Sequence, residues 1–153
     1  MQIIDKVNRT LYILLLLLLF SCNQKTQEDK ILETSSEILA VIKDNSESMF
    51  ASLIAVDLDA MGKNEELLHD DFGKLHRFYN KYVGDKQIKP IIIDTLNELG
   101  QKRVMLVFHK GAPDSEPPYD IRLDLYFGPP NLFSLDKISG YKIVEKLDAL
   151  YSK

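Results

Sequence analysis

Three groups of residues carry side chains able to do chemistry. The first is Cys22, the only cysteine among 153 residues. Ser21 precedes it, and before that comes an unbroken apolar run from Leu11 to Phe20. A thiolate is a strong nucleophile, so a single cysteine placed after such a run is a candidate for covalent modification. The second group is His69-Asp70-Asp71 with His76. On an unbroken helix these histidines share a face about 10 Å apart, at ~1.5 Å per residue. That is too far to share one zinc ion with ligand distances of ~2.1 Å. A metal would need Asp70, Asp71 or a break at Gly73. The plainer reading is a solvated helix start, and no metal ligand is assigned. The third group is His109, Tyr126 and Tyr141 on predicted strands. They would line a pocket if the sheet curls, with His109 as an acid or base near neutral pH. On the polar face of a strand a histidine is more ordinarily a surface residue, so no catalytic residue is assigned and the ligand pocket is left open. Gly111-Ala112-Pro113 and Gly128-Pro129-Pro130 lack the Lys-Ser/Thr that a phosphate-cradling loop needs, and no cofactor is expected. Phe72, Phe78, Tyr79 and Tyr82 would serve equally as an aromatic ligand wall or, more simply, as core.

The segment around Cys22 has a defined layout. Lys6 and Arg9 stand against Asp5, and the apolar run that follows is about half the ~20 residues a membrane-spanning helix requires. This is the length of a secretory leader's hydrophobic region. Leu19-Phe20-Ser21-Cys22 resembles the bacterial lipobox, and the Leu-Phe-Ser-Cys-Asn form resembles lipoproteins of the Bacteroidetes group. Phe20 is bulkier than the small residue usual at its position. The resemblance implies cleavage between Ser21 and Cys22 and a diacylglycerol on the Cys22 sulfur. The partner is then the membrane, through the lipid on Cys22, and the location the bacterial cell envelope. The outer membrane is expected, with the side it faces left open.

Removing residues 1–21 takes away Lys6, Arg9 and Asp5, and moves the net charge from −4 to about −5. Nothing here is basic enough for nucleic acid. Residues 22–30 read as the lipidated cysteine and a polar tether, and residues 31–153 as one domain with a core of its own.

Ile31, Ile38 and Ile42 form the stripe of a first helix. Asp44-Asn45-Ser46-Glu47 reads as a capping box that starts a second helix carrying Phe50, Leu53 and Ile54, unless one helix runs straight through. Residues 57–63 read as a loop. Leu68, Phe72, Leu75, Tyr79 and Tyr82 mark a third helix over 65–82, which Gly73 can split with Asp70 or Asp71 capping the later piece, and Gly84 ends it. The period then changes to two. Strands are predicted at 90–93, 103–110, 120–127 and 132–144, the last bulged near Gly140. In the third, Ile121, Leu123, Leu125 and Phe127 point in, while Arg122, Asp124 and Tyr126 point out. Residues 145–153 have the spacing of a short helix.

The fold class is α+β: N-terminal helices on one face of a curved antiparallel sheet of about four strands. The aromatic helix 71–82, the alternating strands and the closing 137–143 resemble the cone-shaped nuclear transport factor two-like superfamily, or the cystatin-like architecture. That resemblance implies either a binding module or an isomerase-, dehydratase- or cyclase-like enzyme, with self-association through the sheet. The leading expectation is a non-enzymatic ligand- or protein-binding module, with a protein partner or homodimer formed through the sheet. The alternative is a cone-fold enzyme acting on a small apolar molecule.

Overall fold

A computed structural model describes residues 26–55, 63–94, 101–129 and 132–145. Among the described residues three helices come first: α1 (Gln27–Lys43), α2 (Glu47–Ser52) and α3 (Glu65–Phe78), the last continued by a π-helical turn, Tyr79–Val83. Four strands follow among them: β1 (Ile91–Asp94), β2 (Lys102–His109), β3 (Ile121–Phe127) and β4 (Gly140–Val144). The sheet is an antiparallel meander in the order β1-β2-β3-β4. The architecture is therefore α+β, as the change of period from helical to alternating predicts. The leader, including Ser21 and Cys22, the loop residues 57–62 and the C-terminal segment 146–153 lie outside the described residues.

Helix α1 starts earlier than its apolar stripe suggests. Thr26 and Asp29 form a reciprocal capping box: Asp29 N–H donates to Thr26 Oγ1 at 3.1 Å, and Thr26 N–H donates to Asp29 Oδ2 at 2.9 Å. Two orphan N–H groups are satisfied this way, so the first turn forms from residues that read as tether. At its other end, the expected capping box at 44–47 is not present. Asp44 caps the C-terminus of α1, and Asn45 takes a left-handed conformation with φ of 54°. Asn45 N–H bonds Ile42 O and Ser46 N–H bonds Val41 O, the two bonds of a Schellman motif. The chain does break there, but through a C-terminal signal carried by asparagine. Ser46 caps α2 without a side-chain bond.

Helix α3 is capped by Asn64, whose Oδ1 accepts from Leu67 N–H at 2.8 Å. It runs unbroken through Gly73, so neither Asp70 nor Asp71 acts as an internal cap. Leu68, Phe72, Leu75 and Tyr79 are buried as their spacing requires, but the next buried residue is Val83 rather than Tyr82. The π turn explains the slip: Gly84 N–H bonds Tyr79 O, five residues back, and the wider turn advances the buried stripe by one position. A Cβ at Gly73 would meet only Arg77 Nη1, at an ordinary 3.5 Å. Gly73→Ala should therefore stabilise the domain by about 0.5–1 kcal/mol, read as a raised urea midpoint with unchanged slope.

The helices cover the sheet face that carries Val104, Leu106, Phe108, Leu123, Leu125, Phe127 and Tyr141. Phe50, Phe72 and Leu75 fill the space between, each fully or nearly fully buried. The final strand is shorter than predicted, because 132–139 is spent on turns and on a bridge to α2. Ile138 N–H bonds Leu53 O, and Ala55 N–H bonds Ile138 O, both at 2.8 Å. This pair of bonds ties the entry of β4 to the exit of α2.

Candidate functional site

The residues with the most chemistry meet where α3 crosses the start of β4. Lys63 stands just before the Asn64 cap, Asp71 lies on α3, and Tyr141 lies on the helix-covered face of β4 opposite Leu125. The Lys63 ammonium is ion-paired with Asp71 Oδ2. Tyr141 OH donates to the same oxygen at 3.0 Å. The ammonium also lies 4.4 Å from the centroid of the Tyr141 ring, so it meets both a carboxylate and the ring's negative face. Phe50 packs edge-on against that ring at 5.3 Å. Burial, and then the Asp71 charge, push the Tyr141 hydroxyl far above the ordinary phenol range. It stays protonated and acts as a donor, never as a phenolate.

A cleft of about 260 Å³ opens beside this cluster, lined by Lys63, Gln101, Tyr126, Ser139, Gly140 and Tyr141. Tyr126 is on the opposite sheet face, directly across from Gly140. The absent side chain at Gly140 leaves space there, since a Cβ would meet nothing within 4 Å. Ser139 is held by two bonds to Tyr126 O, from its N–H at 2.8 Å and its Oγ at 3.0 Å. A larger groove of about 660 Å³ runs between α1 and the segment Phe133–Asp136. Size alone does not make it the site: it lacks a buried titratable group coupled to a donor. The smaller cleft has one in Tyr141.

Of the three residues expected to share a pocket, Tyr126 and Tyr141 do so and His109 does not. His109 lies at the far end of β2, opposite Ile121, five positions along β3 from Tyr126. Its Nε2–H donates to Pro117 O at 2.9 Å, and its ring stacks on Tyr82 at 5.0 Å. The His69–His76 group is not a ligand set either: no cluster able to hold a metal exists among the described residues. His69 Nδ1–H donates to Glu47 at 2.8 Å. His76 Nδ1–H donates to Ile42 O at 2.7 Å, tying α3 to α1, and its Nε2 accepts from Asn80 one turn on at 2.9 Å, so both ring nitrogens are engaged. Of that group only Asp71 belongs to the site. Phe72 and Tyr79 are core rather than a ligand wall, and Phe78 and Tyr82 pack on the core's edge. Lys63 and Gln101 carried no sequence signal. Each lies outside regular structure and reaches the cleft only through the tertiary fold.

A second polar feature lies on the sheet face away from the helices. Asp124 was predicted to point outward and does, yet it is only 2% exposed. Arg122 Nε–H donates to its Oδ1 at 3.0 Å, and Arg103 Nη1 lies 3.8 Å from its Oδ2. Just before β3, burial alone would raise the Asp120 carboxyl, but bonds from Lys110 and Gly111 N–H, with the Lys110 and Arg122 charges, hold it below its ordinary value.

Comparison with protein-family models, with curated proteins and with solved structures yielded no match. No helix among the described residues is long and apolar enough to cross a membrane.

Proposed function

We propose that this chain is a bacterial envelope lipoprotein, anchored through lipid on Cys22, whose α+β domain is a non-enzymatic binding module. The cleft beside Lys63, Tyr126 and Tyr141 is its contact surface for a small polar ligand or a partner's side chain. The order of helices followed by a meander suits the cone-shaped nuclear transport factor two-like or cystatin-like architecture. The observation that carries the binding reading is the state of the groups at the cleft. Tyr141 OH, Asp71 and Lys63 are bound to one another, and the hydroxyl is held protonated. Such a cluster presents an ammonium fixed in place and an aromatic wall, which suits recognition. The alternative of a cone-fold enzyme with His76 or His109 as base needs a ring nitrogen turned to a reactant. Both nitrogens of His76 are engaged, and His109 lies away from the cleft.

The anchor reading is supported by Leu11–Phe20 leading into Ser21-Cys22, with no second thiol to compete. Labelled fatty acid fed to expressing cells should appear in the wild-type band. Cys22→Ala should abolish the labelling completely and leave an uncut precursor about 21 residues longer, because the chain has no other thiol to take the lipid. Labelling that persists in Cys22→Ala would refute it.

A further inference from the structure

We infer that the loop carrying Leu132 is a second contact with the phospholipid bilayer, which orients the domain on its anchor. The inference rests on the lipidation of Cys22 proposed above. Because the Thr26–Asp29 capping box fixes α1 from its first residue, only Asn23, Gln24 and Lys25 lie between the lipidated cysteine and the cap of α1 in the sequence. At no more than ~3.6 Å per residue, Thr26, the cap of α1, lies within about 14 Å of Cys22. The domain therefore cannot stand far off from the membrane, and a segment that flanks the start of α1 is close enough to touch it.

What flanks it is the connection between β3 and β4. Gln27 and Lys30, in the first turns of α1, line one groove with Phe133 and Ser134. Thr34 Oγ1 donates to Leu135 O at 2.8 Å and locks the two segments together. Leu132, at 72%, is the most exposed large apolar side chain among the described residues. Its position is fixed by the backbone: both Leu132 N–H and Phe133 N–H bond Pro129 O, at 2.9 and 3.0 Å. The segment packs through Gly128, where a Cβ would fall 2.1 Å from the Phe133 ring. The ring is thus seated against glycine while the neighbouring leucine projects outward. Glu28, Asp29, Glu33 and Glu37 make the flank of α1 predominantly acidic, so attraction to anionic headgroups is not the driving force. The contact is an apolar wedge that adds to the acyl chains, and a zwitterionic surface is its partner.

The lone cysteine makes the test direct. Lipidated full-length protein carrying Leu132→Cys would be labelled with a polarity-sensitive fluorophore and reconstituted into phosphatidylethanolamine–phosphatidylcholine vesicles doped with spin-labelled lipid. Lys43→Cys, at the other end of α1, is the comparison. The label at 132 should shift to the blue and be quenched about twofold or more over the label at 43. No shift at 132, or equal quenching at both sites, on protein shown by mass to be lipidated would overturn this inference and leave the anchor standing. Fluorophore uptake by the chain without an introduced cysteine would mean a free Cys22 thiol, and would overturn both.

Discussion

Asp124→Ala should cost the domain about 2–4 kcal/mol, although it changes a residue on the sheet's outer face. Asp124 sits opposite Met105 on β2 and Lys142 on β4, with Arg122 two residues away on its own strand and Arg103 diagonally across on β2. It is the acidic member of this group, and its two oxygens face Arg122 and Arg103. Removing one partner of a buried charge cluster costs ~3–5 kcal/mol, since the opposite charges are left unmatched in a poorly solvated place. The arginine side chains keep 20% and 30% of their exposure and can turn toward water, which lowers the expected figure. Arg103 Nε is already buried without a hydrogen-bond partner, so further loss at this group has little to compensate it. Asp124→Asn keeps the volume and one acceptor and should cost less than half as much. Urea denaturation reads both, and a loss below about 0.5 kcal/mol for Asp124→Ala would show the arginines to be indifferent to it.

The second large effect is Phe50→Ala, expected to cost about 3–5 kcal/mol. Phe50 is fully buried between Phe72 on α3, at 5.4 Å, and Tyr141 on β4, at 5.3 Å. Helix α2 is only six residues long, and Phe50 is its only buried side chain. A helix this short has no stability of its own, so its docking depends on that ring. Against a typical total of ~5–15 kcal/mol, the variant should be marginal at ambient temperature. Phe50→Leu, which keeps most of the volume, should cost less than about 1.5 kcal/mol. The change also reaches the cleft. Without Phe50 the Tyr141 ring loses its edge-on support, and the hydroxyl's bond to Asp71 should loosen, which tyrosine absorbance can follow. A cost under about 1 kcal/mol for Phe50→Ala would mean that α2 is held mainly by the backbone bridge between Leu53, Ala55 and Ile138.

How much of this was legible in the sequence depends on the range of each signal. Alternation along Ile121–Phe127 placed every β3 side chain on its correct face, because a period of two admits no other solution once one face is buried. It could not show that Asp124 is covered, since the cover comes from arginines on two strands. The stripe from Leu68 to Tyr79 was read correctly, and it failed only at Tyr82, where a π turn changes the geometry that the spacing assumes. Asp44–Glu47 matched a helix-start pattern, but Asn45 accepts positive φ readily, and a Schellman end won. Tyr126 and Tyr141 were picked out for the right cleft. Lys63, Gln101 and the role of Asp71 were not, because the cleft is closed by tertiary contacts between distant segments, such as Asp71 with Tyr141.

We propose that the mature chain begins at Cys22 and is held there by its lipid. The most direct test is the intact mass and N-terminal fragment spectrum of the protein extracted from membranes of expressing cells. The mature chain should start at Cys22, with residues 1–21 gone and a diacylglyceryl group on the sulfur. A protein that retains Met1–Ser21, or that begins elsewhere with an unmodified Cys22 thiol, would contradict it.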